Sequence, residues 1–320
     1  MNDFLSKAKG VVLGHATGDA LGVPFEFCPR EYLDGHPVTG MAGYGAHRMP
    51  EGAWSDDTSM SLCALKSFAH GRLDYVDIML NFVKWYARGE FTPTGKTFDV
   101  GRTCHDAIIR GGGLDGEFNN GNGSLMRIYP FTLYLINKNC EKMSLQHVKT
   151  IATASSLTHA HARSRVACIL YSFILWELME NPCKQSVNVG IRNFEEMYKH
   201  FNGEEKAREE EVVEIASFKA IFDGIDKLDR SQIKSTGYVV DTLEAALWCL
   251  LTTDSYEESV LKAVNLGHDA DTTGAVVGAL AGALYGYDAI PEEWLKTLIK
   301  RDYIEGLCEE AFIGVRRKYD

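Results

Sequence analysis

Gly274, Gly278, Gly282 and Gly286 recur every four residues, with Ala275, Ala279 and Ala283 beside them. A helix through this segment has almost no side-chain bulk on one side, so another helix can approach it closely. Glycine costs about 1 kcal/mol relative to alanine in a helix interior. The stripe is therefore a packing feature, and it predicts a central helix whose N-terminus points at the acidic residues just before it.

The rest of the chain also reads as helix. Leu62, Leu65 and Phe68 recur at helical spacing, as do Tyr75, Ile78, Phe82 and Trp85. Val166, Ile169, Leu170 and Ile174 repeat the pattern, and so do Leu243, Leu247, Leu250 and Leu251. Strand alternation is hard to find. The expectation is an all-α fold, one domain over residues 1–320 with no linker, and functional residues on interhelical loops and at helix N-termini. The stretch from Asn181 to Gly237 is the most polar, and Glu204 to Glu214 reads as a solvated helix face.

A net charge of -11 and a pI near 5.4 argue against a nucleic-acid backbone or an anionic membrane as partner, since both would repel the average surface. The eight cysteines are scattered, with no C-x-x-C pair to suggest zinc or redox exchange, and read as reduced thiols of a cytoplasmic protein. The apolar stretch from Val11 to Phe27 is broken by His15, Asp19, Pro24 and Glu26, so it does not read as a signal segment. Ala275 to Leu284 is far shorter than the roughly 20 residues of a spanning helix and reads as a buried core helix.

Two acidic clusters carry the chemistry. Ser55-Asp56-Asp57-Thr58 and Asp269-Ala270-Asp271-Thr272 each precede a helix-like run of small and apolar residues. Either alone reads as an N-cap with acids in the first turn. Packed side by side, the four carboxylates would repel unless some stay protonated or cations sit between them. Their oxygen donors suit Mg²⁺ or Mn²⁺ rather than zinc, so the pair reads as one split site for two divalent ions.

Asn122-Gly123-Ser124, before Leu125-Met126-Arg127, and Gly111-Gly112-Gly113 permit close backbone approach and can present N–H groups to an anion, with the Ser124 hydroxyl as a further donor. Asn-Gly alone is more often a turn. The run matches neither the Walker nor the Rossmann fingerprint. His159 and His161 are two residues apart and do not face one way on a helix, so each is read either as a capping or core histidine or as a ligand contact. His268 adjoins the second acidic cluster. Glu26 and Asp99 each sit in apolar surroundings, where burial would raise the carboxyl pKa into an acid/base range; each could equally cap a helix.

Taken together and in this order, these segments resemble the ADP-ribosylglycohydrolase family: Gly14 to Phe27 with G-D-A-L-G and a following Glu, Ser55 to Thr58, G-N-G-S-L-M-R at Gly121 to Arg127, T-H-A-H within Ser155 to Ser164, and D-A-D-T-T-G within Gly267 to Gly274. They are most similar to the bacterial dinitrogenase reductase-activating glycohydrolase branch, which removes ADP-ribose from arginine. The resemblance implies a compact all-α fold with two Mg²⁺ or Mn²⁺ ions at the base of an ADP-ribose cleft. By motif, Ser55, Asp56, Asp57, Asp269, Asp271 and Thr272 would bind the metals, with Ser55 standing where many relatives have Thr. The Gly121 to Ser124 loop, with Asn122, Gly123 and Ser124, would hold the diphosphate, and His159 would lie near it or the adenosine. Glu26 and Asp99 would be the catalytic acids, and His268 is not expected to be a ligand.

The implied activity is metal-dependent hydrolysis of ADP-ribose from a modified protein, at the N-glycosidic bond to arginine. The alternatives are another ADP-ribose linkage, whether serine, O-acetyl, nucleic acid or metabolite, and a non-catalytic ADP-ribose binder or structural relative. Retention of mutually repelling carboxylates argues against the last.

Overall fold

A computed structural model of the chain describes residues 3–138, 142–199 and 206–316. Its helices in the first half are α1 (Asp3–Gly22), α2 (Arg30–Gly35), α3 (Asp56–Phe68), α4 (Tyr75–Arg88), α5 (Arg102–Arg110), α6 (Tyr129–Asn137), α7 (Leu145–Ser156) and α8 (Ala162–Glu180). They continue as α9 (Gln185–Lys199), α10 (Lys206–Glu214), α11 (Lys219–Gly224), α12 (Val239–Leu251), α13 (Tyr256–Val264), α14 (Ala270–Tyr285), α15 (Glu292–Thr297) and α16 (Arg301–Arg316). Strands are absent among the described residues, as the sequence led us to expect. Two isolated bridges, Leu114 with His159 and Gly121 with Tyr238, tie loops together.

The glycine stripe of α14 meets a second stripe on α1, and no other pair of helices packs as extensively. A Cβ at Gly14 would fall 2.4 Å from the Gly278 carbonyl oxygen, one at Gly18 2.1 Å from that of Gly274, and one at Gly10 2.6 Å from that of Gly282. The reverse holds: a Cβ at Gly278 would lie 2.3 Å from the Gly14 oxygen. The register is antiparallel, so the C-terminal end of α1 lies beside the N-terminal end of α14. Residues Ala270 to Leu284 are all buried, and Tyr256 of α13 adds a hydrogen bond from its hydroxyl to the Gly14 carbonyl at 2.7 Å.

Other elements are bounded by local chemistry. Asp74 caps α4 through the N–H groups of Val76 and Asp77, and Gly89, in the left-handed region, ends it. Gly111 ends α5 in the same way. The seven described cysteines are free thiols, and Cys140 lies outside the described residues. No described helix is long and apolar enough to cross a membrane.

The expectation of a solvated face over Glu204 to Glu214 is corrected within α10; Glu204 and Glu205 lie outside the described residues. Glu209 and Glu210 are exposed, but Glu211 is buried, accepting hydrogen bonds from Arg165 Nε at 2.9 Å and Tyr198 Oη at 2.8 Å. Glu214 accepts from Arg163 Nε at 2.7 Å. Two arginines on the first turns of α8 draw this acidic face inward, a pairing that composition alone does not reveal.

The α1–α14 contact predicts opposite responses to one methyl group. Gly278→Ala places the methyl against a backbone carbonyl and should cost about 1–3 kcal/mol by chemical denaturation. Gly306→Ala, on α16, meets open space and should gain about 0.5–1 kcal/mol.

Candidate active site

The close approach of α1 and α14 sets the site's first two parts. Gly22 is pressed against the start of α14, where a Cβ would fall 2.3 Å from Asp271 Cα. One turn earlier on α1, the fully buried Asp19 faces the start of α3. Its carboxylate accepts hydrogen bonds from Ser55 N at 2.9 Å, Thr58 N at 3.0 Å and Thr58 Oγ1 at 2.6 Å. The free N–H groups of α3 are thus capped partly from α1. Ser55 is the local N-cap, its hydroxyl accepting from Asp57 N at 3.3 Å and donating to Asp57 Oδ2 at 3.2 Å.

Both acidic clusters therefore meet. One donor atom from each of Asp19, Asp57 and Asp271 lies within 4.8 Å of the others, as do donors from Glu26, Asp269 and Asp271, and from Glu26, His47 and Asp99. Asp57 Oδ1 and Asp271 Oδ2 are buried without a hydrogen-bond partner. Such oxygens cost about 1–3 kcal/mol each, more if charged, unless a cation binds them. An all-oxygen set with two orphan lone-pair groups fits a hard divalent cation. A separate cluster, Glu117, His161 and Glu214, already holds the Arg163 guanidinium, at 2.8 Å from Glu117 and 2.7 Å from Glu214.

Burial, reinforced by neighbouring carboxylates, pushes the Asp56, Asp57 and Asp271 carboxyls well above the usual range. Burial also pushes Glu26 up to about 8, helped by the charge of Asp269. Asp99 rises to about 7 through burial and the adjacent Glu26, and Asp19 to about 7 through burial, which its hydrogen bonds only partly offset.

A cleft of about 620 Å³ opens onto this cluster, within the size range of small-molecule sites. Glu26, Asp56, Asp99, Asp269 and Thr272 line it, together with Gly121, Asn122, Gly123, His159 and His268. Phe27 and the almost fully exposed Phe118 stand at its edge. Asn122 turns its amide to Asp269 Oδ2 at 2.7 Å and Thr242 Oγ1 at 2.9 Å, joining the glycine loop to the acids. Its backbone N–H reaches Gly237 O at 3.0 Å.

A Cβ at Gly123 would fall 2.7 Å from Cys104 Sγ and 2.9 Å from His159 Cε1, so a larger residue would have to displace these buried side chains. His159 bonds Thr158 Oγ1 at 2.9 Å and is pushed down to about 3 by burial and then by Arg127, so it stands neutral against the loop. His161 is the N-cap of α8.

Four expected site residues do not line the cleft: Ser55, Asp57 and Asp271 are buried at the helix starts, and Ser124 faces away. The Ser124 hydroxyl points inward, accepting from Ser155 Oγ at 3.0 Å and Cys168 Sγ at 3.5 Å. The expectation of a side-chain donor there is corrected: a fully buried hydroxyl finds its partners behind the loop. Arg127 is likewise interior, donating to Thr158 Oγ1 at 2.6 Å and to Ala154 O.

Two residues escaped the sequence reading of the site. Asp19 sat inside the quoted G-D-A-L-G run, and a lone acid in an otherwise apolar helix was the available signal. His47, from an irregular loop with no pattern, pairs with Glu26 Oε2 and lies 3.8 Å from Asp99 Oδ2. Phe27, Asp99 and His268 all have positive φ (61°, 53° and 57°), as do Tyr44 and Arg48. Backbone strain of this kind costs on the order of 1–3 kcal/mol each and collects at functional sites.

The raised carboxyls predict an unusual pH response. Between about pH 4.5 and 8 the folded, metal-free protein holds protons on Glu26, Asp99 and Asp19 that the unfolded chain has released. Its stability in chelator should therefore fall as pH rises through that window, and saturating Mg²⁺ should flatten the fall. Melting temperatures measured across the window test this; a rise with pH in chelator would contradict it.

Comparison with known proteins shows the family. The profile of the ADP-ribosylglycohydrolase family matches residues 1–320. The chain is 34% identical to the ADP-ribosylarginine hydrolase Tri1 of Serratia proteamaculans over 322 residues, covering 97% of this chain and 80% of that protein. It is 30% identical to the ADP-ribosyl-[dinitrogen reductase] glycohydrolase of Rhodospirillum rubrum, covering 91% and 90%. A solved structure described as an ADP-ribosylglycohydrolase-related protein complex superposes with a TM-score of 0.78 at 28% identity, over 98% of this chain and 100% of that one. From its paired acidic helix starts to its full-length match, the chain belongs to the ADP-ribosylglycohydrolase family.

Proposed function

We propose that the protein hydrolyses the N-glycosidic bond between ADP-ribose and arginine on modified proteins, using two Mg²⁺ or Mn²⁺ ions. The observation that carries this is the convergence of the α3 and α14 starts, with two orphaned carboxylate oxygens, beside a cleft that Asp56, Asp269 and Thr272 line. The arginine linkage rests on the relatives whose names specify it. In this reading Ser55, Asp56 and Asp57 hold the metals from α3, and Asp269, Asp271 and Thr272 hold them from α14. Bound there, the cations would supply the charge that orients the ribose hydroxyls and acidifies a water molecule.

The chain's own groups do the rest. Gly121 and Gly123, bare of side chains, let the backbone approach the diphosphate, and neutral His159 lines the cleft against them. Glu26 and Asp99 are the acid pair. Burial keeps a proton available at neutral pH, and one of them gives it to the departing nitrogen as the bond from the anomeric carbon lengthens. Water oxygen then bonds to that carbon and gives a proton back to the carboxylate, so free ADP-ribose and unmodified arginine leave.

Release of ADP-ribose from arginine-ADP-ribosylated protein, beside a serine-linked substrate, tests the proposal. Release from the arginine linkage is expected with Mg²⁺ or Mn²⁺ and not in chelator, with Glu26→Gln or Asp99→Asn lowering turnover by about 100-fold or more. Release only from serine would keep the family and move the substrate. Binding of ADP-ribose without any release would overturn the catalytic reading.

A further inference from the structure

The strained loop before α3 serves one side chain. Tyr44 and Arg48 both adopt positive φ, 66° and 53°, although neither is glycine. Between them the chain folds over the end of α1: Ala46 N donates to Pro24 O at 3.0 Å, and Gly45 packs so closely that a Cβ would fall 1.8 Å from that same carbonyl oxygen. Tyr44 N to Met49 O at 2.7 Å and Arg48 N to Gly45 O at 3.1 Å close the turn. The residue this turn delivers is His47. Its ring contacts those of Phe27, at 5.9 Å, and Phe98, at 5.2 Å, and its Nε2 meets Glu26 Oε2. Asp99 Oδ2 is 3.8 Å away. Among the described residues no lysine or arginine pairs with either acid.

We propose that His47 is the positioning residue of the acid pair, resting on the hydrolase reading above. Its Nε2 is hydrogen-bonded to Glu26 Oε2, so the carboxyl is pinned through that one oxygen and Oε1 is left free of the imidazole. The two aromatic rings fix the imidazole plane, and the strained turn fixes its height, so the carboxyl is held in one rotamer before substrate arrives. Residues that orient a catalytic group in this way commonly change rates by about 10–100-fold. His47 itself touches no reacting atom in this arrangement.

Substitution at His47 with two separate readouts tests the proposal. In wild-type protein the His47 ring ¹⁵N resonances should shift on Glu26→Gln and stay in place on Glu51→Gln, an exposed change in the same loop. His47→Phe should lower kcat by about 10–100-fold while KM and ADP-ribose affinity change less than about threefold. His47→Gln, which keeps an N–H donor, should recover at least about tenfold of that loss. Unmoved ring resonances, wild-type kcat in His47→Phe, or Gln no better than Phe would overturn the proposal. Loss of folding in His47→Gln would overturn it in favour of a structural role. A wild-type protein inactive on every linkage, with the resonance shift present, would instead overturn the hydrolase reading and leave the His47–Glu26 contact standing.

Discussion

Carbonyl oxygens of α1 and α14 lie where ordinary helices carry side chains: the Gly18 oxygen is 2.6 Å from the point that a Gly274 Cβ would occupy. That approach fixes the offset between the end of α1 and the beginning of α14, and everything at the cleft inherits it. Asp19 and Asp271 come together because their helices are antiparallel and nearly touching. Asp19 then reaches a third helix start, binding the N–H groups at Ser55 and Thr58, and so delivers Asp56 and Asp57 to the same place. A cluster that electrostatics opposes is assembled by backbone packing, which electrostatics cannot relax.

The opposition is considerable. Burying an ionised carboxylate costs several kcal/mol even after relaxation, and here Asp19, Glu26, Asp56, Asp57, Asp99 and Asp271 all shift toward the protonated form. A structural protein gains nothing from this arrangement. The proposed function accounts for it by a division of labour in which the acids with orphaned oxygens would hold cations while Glu26 and Asp99 would keep a transferable proton. Left-handed backbone at Phe27, Asp99 and His268 is strain of local origin held in place by the same rigid frame.

Much of this was legible in the chain. The stripe from Gly274 to Gly286 announced the central helix, and the acids at the starts of α3 and α14 announced where carboxylates would gather, because helical spacing and N-terminal acids are local patterns. The partner stripe, Gly10, Gly14, Gly18 and Gly22, was present in the same four-residue spacing but hidden among larger apolar residues. Ser124 was read from its loop context, yet a hydroxyl's direction depends on Ser155 and Cys168, contributed by other helices. The inward turn of Glu211 and Glu214 depends on arginines more than forty residues away. His47 left no trace, since only the folded turn brings it to Glu26. Local chemistry was readable; pairings made by tertiary approach were not.

In the proposed function, two helix starts form one site for two divalent ions. Electron paramagnetic resonance of the protein titrated with Mn²⁺ addresses it without reference to turnover. Two Mn²⁺ per chain are expected, close enough for their spectra to couple, with coupling lost in both Asp57→Asn on α3 and Asp271→Asn on α14. Uncoupled binding, or a wild-type spectrum in either variant, would contradict it.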